Sequence, residues 1–336
     1  MKLATVVAVA MFVGVTLYAL LAGADFGGGF WDLFAGDAER GAEPRSLIEH
    51  SVGPVWEANH VWLIFVLVVL WTGFPRAFAP IMSTLAVPLT LAAVGIILRG
   101  AAFAFRKASR PVETRRVFGA IFAMSSVLTP FFLGSVVGGV ASGRVPATGT
   151  GSLTRSWINP TSLLGGTLAV VVCAFLAAVY LTADADRQGL LDLVEYFRVR
   201  AIGAGLVAGA IALGGIAVLH ADTPRLFGQF TGRALPLMFL SGVGGLATLW
   251  LLAMRRGYAL ARFAAAVAVV AVIWGWAAGQ YPFLIDGRLT IAQSRGADAT
   301  MEALLGIVIA GAIVIGPALA WLLLLVRRGD LDARRP

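Results

Sequence analysis

Long apolar runs dominate this sequence and constrain its fold more than any other feature. A helix needs about 20 mostly apolar residues to cross a bilayer. Nine such runs lie at about 5–24, 56–74, 79–98, 117–140, 161–182, 199–219, 234–254, 262–280 and 303–326. Hydrophobic residues make up 59% of the 336 positions and charged residues 13%, a composition that excludes an ordinary soluble domain. The sequence therefore predicts an all-α, polytopic membrane protein with about nine transmembrane helices.

The first run has the position of a secretory signal, because it follows Met1 and Lys2. Signal peptides carry a shorter apolar stretch that ends at a small-residue cleavage site. This run is long for a signal, and the acidic Asp25 and a glycine cluster follow it. We therefore expect it to be retained as the first membrane helix.

The positive charges lie mainly between the apolar runs. The net charge is +8. Because basic residues in short loops serve to orient a membrane protein in the bilayer, this charge does not indicate a nucleic-acid partner, and we expect none. Over alternate connections, 18 of the 26 Lys and Arg residues fall on one side of the membrane and 8 on the other. The positive-inside rule predicts an outside N-terminus and a cytoplasmic C-terminus. Asp25 and Glu57 then lie near the cytoplasmic face.

The most informative polar stretch, SVGPVWEANHVW (51–62), opens the second run. Its Gly-Pro pair favours a helix start, which places Trp56, Glu57, Asn59 and His60 in the first turns. Residues three apart share a helix face, so Glu57 and His60 can lie side by side. Ionisable groups in a span usually face a bundle interior or a water path. A proton-handling site is the leading hypothesis, and an interfacial Glu57 paired with His60 or an arginine is the alternative.

A second polar element, AGADFGGGFWD (22–32), ends the first run. Its three consecutive glycines permit either close helix packing or a sharp exit from the membrane. It is not a dinucleotide-binding loop, because no strand surrounds it. Asp25 is then either a solvated or capping residue at a helix end, or part of a proton path.

Haem or metal ligation by this chain has little support. Haems in helix bundles are held by His or Met on facing helices, and the three histidines are His50, His60 and His220. The predicted topology puts His220 at the opposite membrane face from the other two, which leaves no pair within one bundle. His60 as a single axial ligand is the alternative to His60 as a polar partner. Cys173 is the single cysteine, so no intrachain disulfide or thiolate cluster can form. We expect no metal site.

Several of these motifs resemble subunit II of the cytochrome bd-type quinol terminal oxidases, a group that includes a cyanide-insensitive branch. ADFGGG (24–29) is similar to the family's Gly-Phe-Asp-Leu-Gly-x-Gly element. GPVWEANHVWL (53–63) is similar to its Pro-x-Trp-Asp/Glu-x-Asn-x-Val-Trp-Leu signature. RGAAF (99–103) and QYPFL (280–284) follow in the family's order, and the resemblance extends over 1–328.

The resemblance implies a fold and a complex. A single membrane domain (1–336) would contain one four-helix bundle at 1–140, a second at 161–280 and a peripheral helix at 303–326. Subunit II would carry no haem and would pair with subunit I, which holds haem b with or without haem d. Small accessory subunits, membrane lipid and quinone are further expected partners, with quinone as substrate or as structural lipid.

The resemblance also implies a reaction, in which quinol is oxidised, O2 is reduced to water and a proton gradient builds across the bacterial plasma membrane. By position, Trp56 and Glu57 match the family's Trp–acid pair on a cytoplasmic proton path. Asp25, Asn59 and His60 would support that path. Many members have an acid where this chain has Ala22, so a proton route through that group would differ here.

A proton-coupled secondary transporter with repeated helical bundles is the alternative class of function. It predicts substrate sites near the midplane on interrupted helices, and Pro88 and Pro317 within apolar runs favour it. The predicted position of Asp25 and Glu57 at helix ends argues against it.

Overall fold

The computed structural model describes residues 2–36, 39–52, 56–108 and 112–328. Within these ranges, the side chains at 52, 56–58, 107–108, 112–113, 115, 319–320 and 322–328 lie outside the description. The helices are α1 (Lys2–Leu33), α2 (Ala42–Val52), α3 (Trp56–Gly73), α4 (Pro75–Thr84), α5 (Ala86–Ala108), α6 (Val112–Ala141), α7 (Pro160–Arg187), α8 (Leu191–Asp222), α9 (Pro224–Phe230), α10 (Leu235–Ala253), α11 (Tyr258–Gln280), α12 (Ile291–Ser294) and α13 (Asp298–Arg328). The strands β1 (Phe283–Ile285) and β2 (Leu289–Thr290) form an antiparallel hairpin.

Eight helices in the described part of the chain are long and apolar enough to cross a membrane. They are α1, α5, α6, α7, α8, α10, α11 and α13. α3 adds a shorter apolar helix at Asn59–Gly73, within the run predicted at 56–74. The prediction of an all-α membrane protein with about nine membrane helices is confirmed.

The predicted third span, 79–98, consists of two helices in the structure. α4 ends at Thr84 and α5 begins at Ala86, with Leu85 between them in a non-helical conformation (φ −101°, ψ 23°). Pro88 has no N–H to donate to the carbonyl of Thr84, and its ring crowds that carbonyl. The proline therefore lies in the first turn of α5, not inside a continuous helix.

The first helix is longer than its apolar run, because α1 continues past residue 24 to Leu33. Its glycines bring the neighbouring helices close. A Cβ on Gly27 would lie 1.9 Å from the carbonyl oxygen of Cys173 in α7. A Cβ on Gly29 would lie 2.1 Å from Oγ of Ser126 in α6. The glycine cluster thus serves close packing, and Asp25 lies inside a helix instead of at its end.

The helices α1, α6 and α7 pack against one another at the centre of the molecule. α3 lies against α1, α5 against α6, α8 and α11 against α7, and α10 against α11. α13 packs on α1 and α3. We propose that α1, α3, α5 and α6 form the first bundle and α7, α8, α10 and α11 the second. The predicted units 1–140 and 161–280 would then meet along the three central helices, with 303–326 outside the first bundle.

The two ends of the helices differ in charge. α1 ends and α3 begins at the end with most of the arginines, which we call the arginine-rich side. At the opposite end, Asp222 of α8 accepts hydrogen bonds from Arg144 (Nη1–Oδ2 2.9 Å, Nη2–Oδ1 2.5 Å) and from Thr161 Oγ1 (2.6 Å). The hydrogen bond to Asp222 raises the pKa of Arg144. Asp222 thereby joins the 141–160 connection to the start of α7 and the end of α8.

Candidate functional site

Asp25 of α1 and Arg99 of α5 form an ion pair between the two helices. We call it the buried ion pair. Each side chain is only 2% exposed. Arg99 Nη1 donates to Asp25 Oδ2 at 2.8 Å and Arg99 Nη2 to Asp25 Oδ1 at 2.6 Å. Nη2 also donates to the carbonyl oxygen of Asp25 at 3.1 Å. A buried charge is tolerated only when it is paired and hydrogen-bonded, and this bidentate geometry meets both conditions.

Three further side chains complete the surroundings of Arg99. Its Nε donates to Ser126 Oγ at 2.9 Å, and that hydroxyl donates to the carbonyl oxygen of Phe122 at 2.7 Å. The guanidinium carbon lies 5.0 Å from the ring centroid of Phe26 and 4.6 Å from that of Phe122. Rings at this distance attract the cation. The buried ion pair therefore links α1, α5 and α6 rigidly.

A second polar group, the α1–α3 polar pocket, consists of Tyr18, Asn59 and His60. Asn59 is buried, and its Nδ2 donates to the carbonyl oxygen of Leu21 at 3.4 Å. The His60 ring centroid lies 6.1 Å from that of Tyr18 and 6.0 Å from that of Phe26. Tyr18 Oη and His60 Nδ1 are buried, and neither has a hydrogen-bond partner within the described residues. Buried polar atoms without a protein partner are uncommon in folded proteins.

The structure brings three of the five sequence-predicted site residues together. Asp25, Asn59 and His60 lie where α1 packs on α3: Asn59 donates to the carbonyl of Leu21, and His60 packs on Phe26, the residue after Asp25. The backbone of Trp56 and Glu57 forms the first turn of α3, but their side chains lie outside the described residues.

Sequence reasoning missed Arg99 and Ser126 as the partners of Asp25. It assigned Arg99 to a connection between runs, and the structure places it within α5, so this residue does not count toward the loop charges. A signal was present, since Arg99 interrupts the apolar stretch AAVGIILRGAAFAF. A charge within a span usually faces the bundle interior and pairs there. Nothing in the sequence marks Asp25, 74 residues away, as the partner of Arg99.

A second ion-pair cluster lies on the arginine-rich side. Asp32 near the end of α1 is buried, and it accepts from Arg45 Nε at 2.7 Å and from Arg106. Arg106 also pairs with Glu49 of α2 (Nη2–Oε1 3.0 Å). These contacts fasten α2 across the ends of α1 and α5. Tyr18, Asp25 and Asp32 are spaced seven residues apart and therefore lie along one stripe of α1.

An apolar cavity of about 470 Å3 opens in the half of the molecule nearer the opposite side. It lies between α1, α3 and α6 and the end of α11. Its indole N–H groups are paired: Trp274 Nε1 donates to Thr16 Oγ1 at 3.1 Å and Trp276 Nε1 to Gln280 Oε1 at 2.8 Å. Tyr18 also lines the cavity. The volume and the lining suit an apolar molecule.

His60 and His220 lie at opposite ends of the helices. His60 lies near the start of α3, between the rings of Tyr18 and Phe26. His220 lies at the far end of α8, where its ring packs on Phe227 (4.9 Å between centroids). In the part of the chain that the structure describes, no group of three or more His, Cys, Asp and Glu side chains is placed to hold a metal ion.

Comparison with known proteins gives a consistent result. The family model of cytochrome bd terminal oxidase subunit II matches residues 3–326. Cytochrome bd ubiquinol oxidase subunit 2 of Bacillus subtilis is 29% identical over 175 residues, which cover 51% of this chain and 50% of that protein. Cytochrome bd-I ubiquinol oxidase subunit 2 of Escherichia coli is 27% identical over 182 residues, 51% of this chain and 46% of that protein. The chain thus spans about half the length of the curated relatives it matches.

A solved structure agrees with the fold. The bd oxidase from Geobacillus thermodenitrificans contains a chain that superposes with a TM-score of 0.77, covering 97% of this chain and 98% of that one. The sequence identity is 22%, so this likeness concerns the arrangement of helices.

Proposed function

The chain belongs to the cytochrome bd terminal oxidase subunit II family, and from that premise we propose that it is the haem-free subunit of a quinol:O2 oxidoreductase in the bacterial plasma membrane. The observation that carries this proposal is the family match over residues 3–326. Haem b, with or without haem d, in subunit I would carry the electron transfer that reduces O2 to water. The matches do not support the alternative of a secondary transporter.

The proposal assigns the arginine-rich side to the cytoplasm, in accordance with the positive-inside rule. Glu57, in the first turn of α3, would take up protons there, with Trp56 beside it. Asn59 and His60 follow on the same helix. Nδ1 of His60 and Oη of Tyr18 have no hydrogen-bond partner among the described residues, which supports a route that continues between α1 and α3. Groups that exchange protons need donor and acceptor positions that are not already bonded.

Asp25 has a different role in this proposal. Both of its carboxylate oxygens accept hydrogen bonds from Arg99, so protonation of Asp25 would break the buried ion pair. We assign Asp25 to holding α1 against α5 and to setting the electric field beside His60. Glu57, not Asp25, is then the acid that carries protons.

The test is the substitution Glu57→Gln in the complex purified through a tag on this chain. Quinol-driven O2 consumption should fall about 100-fold, because losing a positioned acid–base group typically costs that much. Glu57→Asp should retain most of the rate, since it keeps the carboxylate. Glu302→Gln is the matched control, because Glu302 is exposed near the start of α13 at the opposite end.

Two results would decide against the proton role of Glu57. Unchanged turnover of Glu57→Gln, with an unchanged dependence on pH, would leave this residue with a purely structural role. If Glu57→Asp lost as much activity as Glu57→Gln, the size of the side chain would be what matters, and not proton transfer by its carboxylate.

We further propose that the apolar cavity holds the isoprenoid tail of a quinone or the acyl chain of a lipid. Its volume and lining support a long apolar occupant. Leu89→Trp, which fills the cavity wall, should lower the quinone or lipid that remains after purification, measured by mass spectrometry of extracts. Equal retention in the variant and in the wild type would contradict this role of the cavity.

A further inference from the structure

Arg200 of α8 is a half-buried cation that differs from its neighbours. On the arginine-rich ends of α7, α8 and α11, Arg187 and Arg262 pair with Asp184, and Arg198 pairs with Glu195. Arg200 has no acidic partner among the side chains that the structure describes. Its protein hydrogen bond there runs from Nη1 to the carbonyl oxygen of Tyr196, at 2.9 Å. Most of its N–H donors therefore have no acceptor among the described residues.

The depth of Arg200 in the membrane follows from the length of α8. This helix has 32 residues, or about 48 Å at 1.5 Å per residue, and exceeds the ~30 Å hydrocarbon core. The segment from Arg200 to Asp222 alone extends for about 33 Å and is long enough to cross that core. Arg200 consequently lies at the level of the lipid headgroups on the arginine-rich side.

Aromatic rings flank the guanidinium at this level. Its central carbon lies 3.3 Å from the ring centroid of Tyr196 and 6.0 Å from that of Trp31. Tyr196 Oη is buried and has no hydrogen-bond partner within the described residues. Phe34, whose ring lies 6.4 Å from that of Trp31, and Val199, the residue before Arg200, are each 55% exposed and apolar. Aromatic side chains at a membrane interface mark the headgroup level.

We infer that Arg200, held between the rings of Tyr196 and Trp31, binds the phosphate of an anionic phospholipid in the leaflet on the arginine-rich side. The planar fork of a guanidinium matches phosphate oxygens and donates two parallel hydrogen bonds to them. Stacking on Tyr196 fixes the plane of the guanidinium. The exposed Phe34 and Val199 contact the start of the acyl chains. This site is separate from the proposed proton route and does not depend on the oxidase reaction.

The experiment measures lipid binding to the complex purified in neutral detergent through a tag on this chain. Native mass spectrometry follows the binding of phosphatidylglycerol, and phosphatidylcholine serves as the neutral lipid. In Arg200→Gln the affinity of the tightest phosphatidylglycerol site should fall about fivefold, the typical contribution of one arginine at a membrane surface. Arg200→Lys should give a smaller loss, because it keeps the charge without the fork.

Arg256→Gln is the matched control. Arg256 is exposed between α10 and α11 on the same side, and its loss should leave the tightest site unchanged. The melting temperatures of all variants, measured without added lipid, identify any folding defect. If Arg200→Gln unfolds, the lipid affinity of Arg200→Lys is compared with that of the wild type instead. Equal phosphatidylglycerol affinity in the wild type and both Arg200 variants would overturn the inference. So would inorganic phosphate displacing the lipid at millimolar concentration, since the site would then hold a free anion.

Discussion

The buried ion pair and the α1–α3 polar pocket share helix α1 and treat their polar groups in opposite ways. In the ion pair, Arg99 bonds Asp25 through two nitrogens and Ser126 through the third. In the pocket, Tyr18 Oη and His60 Nδ1 are buried without a partner in the described part of the chain. A fully bonded charge stabilises one arrangement of helices, whereas polar atoms without a partner among the described residues hold no such arrangement. This difference is the basis of our proposal that the ion pair is structural and that the pocket lies on the proton route.

The largest expected effect comes from breaking the ion pair on one side. Arg99→Leu leaves the carboxylate of Asp25 buried without a counter-charge, which should lower the free energy of unfolding by about 3–5 kcal/mol. The melting temperature of the purified complex should fall accordingly, and the yield of folded protein with it.

The double variant Asp25→Leu, Arg99→Leu tests whether the loss comes from the unpaired charge. Replacing both partners by apolar side chains is often neutral for stability, so the double variant should recover most of the melting temperature. A double variant as unstable as Arg99→Leu would show that the site needs the ion pair itself, and the assigned cause would be wrong.

A smaller effect is expected from Gly29→Ala. The added methyl group would lie 2.1 Å from Ser126 Oγ, so α1 and α6 must separate beside Arg99, at a cost of about 1–3 kcal/mol. Gly209→Ala is the control, because no atom outside α8 lies within 4 Å of its Cβ position. That variant should be neutral or more stable, since alanine favours a helix over glycine. Equal melting temperatures for the two variants would contradict the packing argument.

The smallest effect on stability is expected in the polar pocket. Tyr18→Phe removes a hydroxyl that has no hydrogen-bond partner among the described residues, so the free energy of unfolding should change by less than about 1 kcal/mol. Quinol-driven O2 consumption should nevertheless fall several-fold if Tyr18 lies on the proton route. Measured together, melting temperature and turnover distinguish the two roles. A large loss of stability with full turnover would place Tyr18 with the structural groups.

Much of the fold follows from the sequence, because apolar runs must cross the membrane as helices. Even the break at Leu85 had a signal in Pro88, which cannot donate to the carbonyl of Thr84. The end of α1 was harder to predict. Glycine weakens a helix, but here Gly27 and Gly29 let α1 continue against α7 and α6. That packing depends on helices more than 90 residues further along the chain.

The site was only partly predictable for the same reason. The motif around Glu57, Asn59 and His60 is local, so its residue types could be recognised in sequence. The Asp25–Arg99 contact joins α1 to α5 and exists only after the helices pack. The orientation of the Glu57 side chain lies outside the described residues, and its proton role stays a prediction.

The most direct test of the central claim is a reduced-minus-oxidised visible spectrum of the complex that co-purifies, in mild detergent, with a tag on this chain. A haem-free subunit II predicts haem b bands, with or without haem d, together with a second large membrane polypeptide. The bands should leave with that polypeptide when the two are separated. A colourless, folded protein without a partner would contradict the account, and so would haem that stays with this chain after separation.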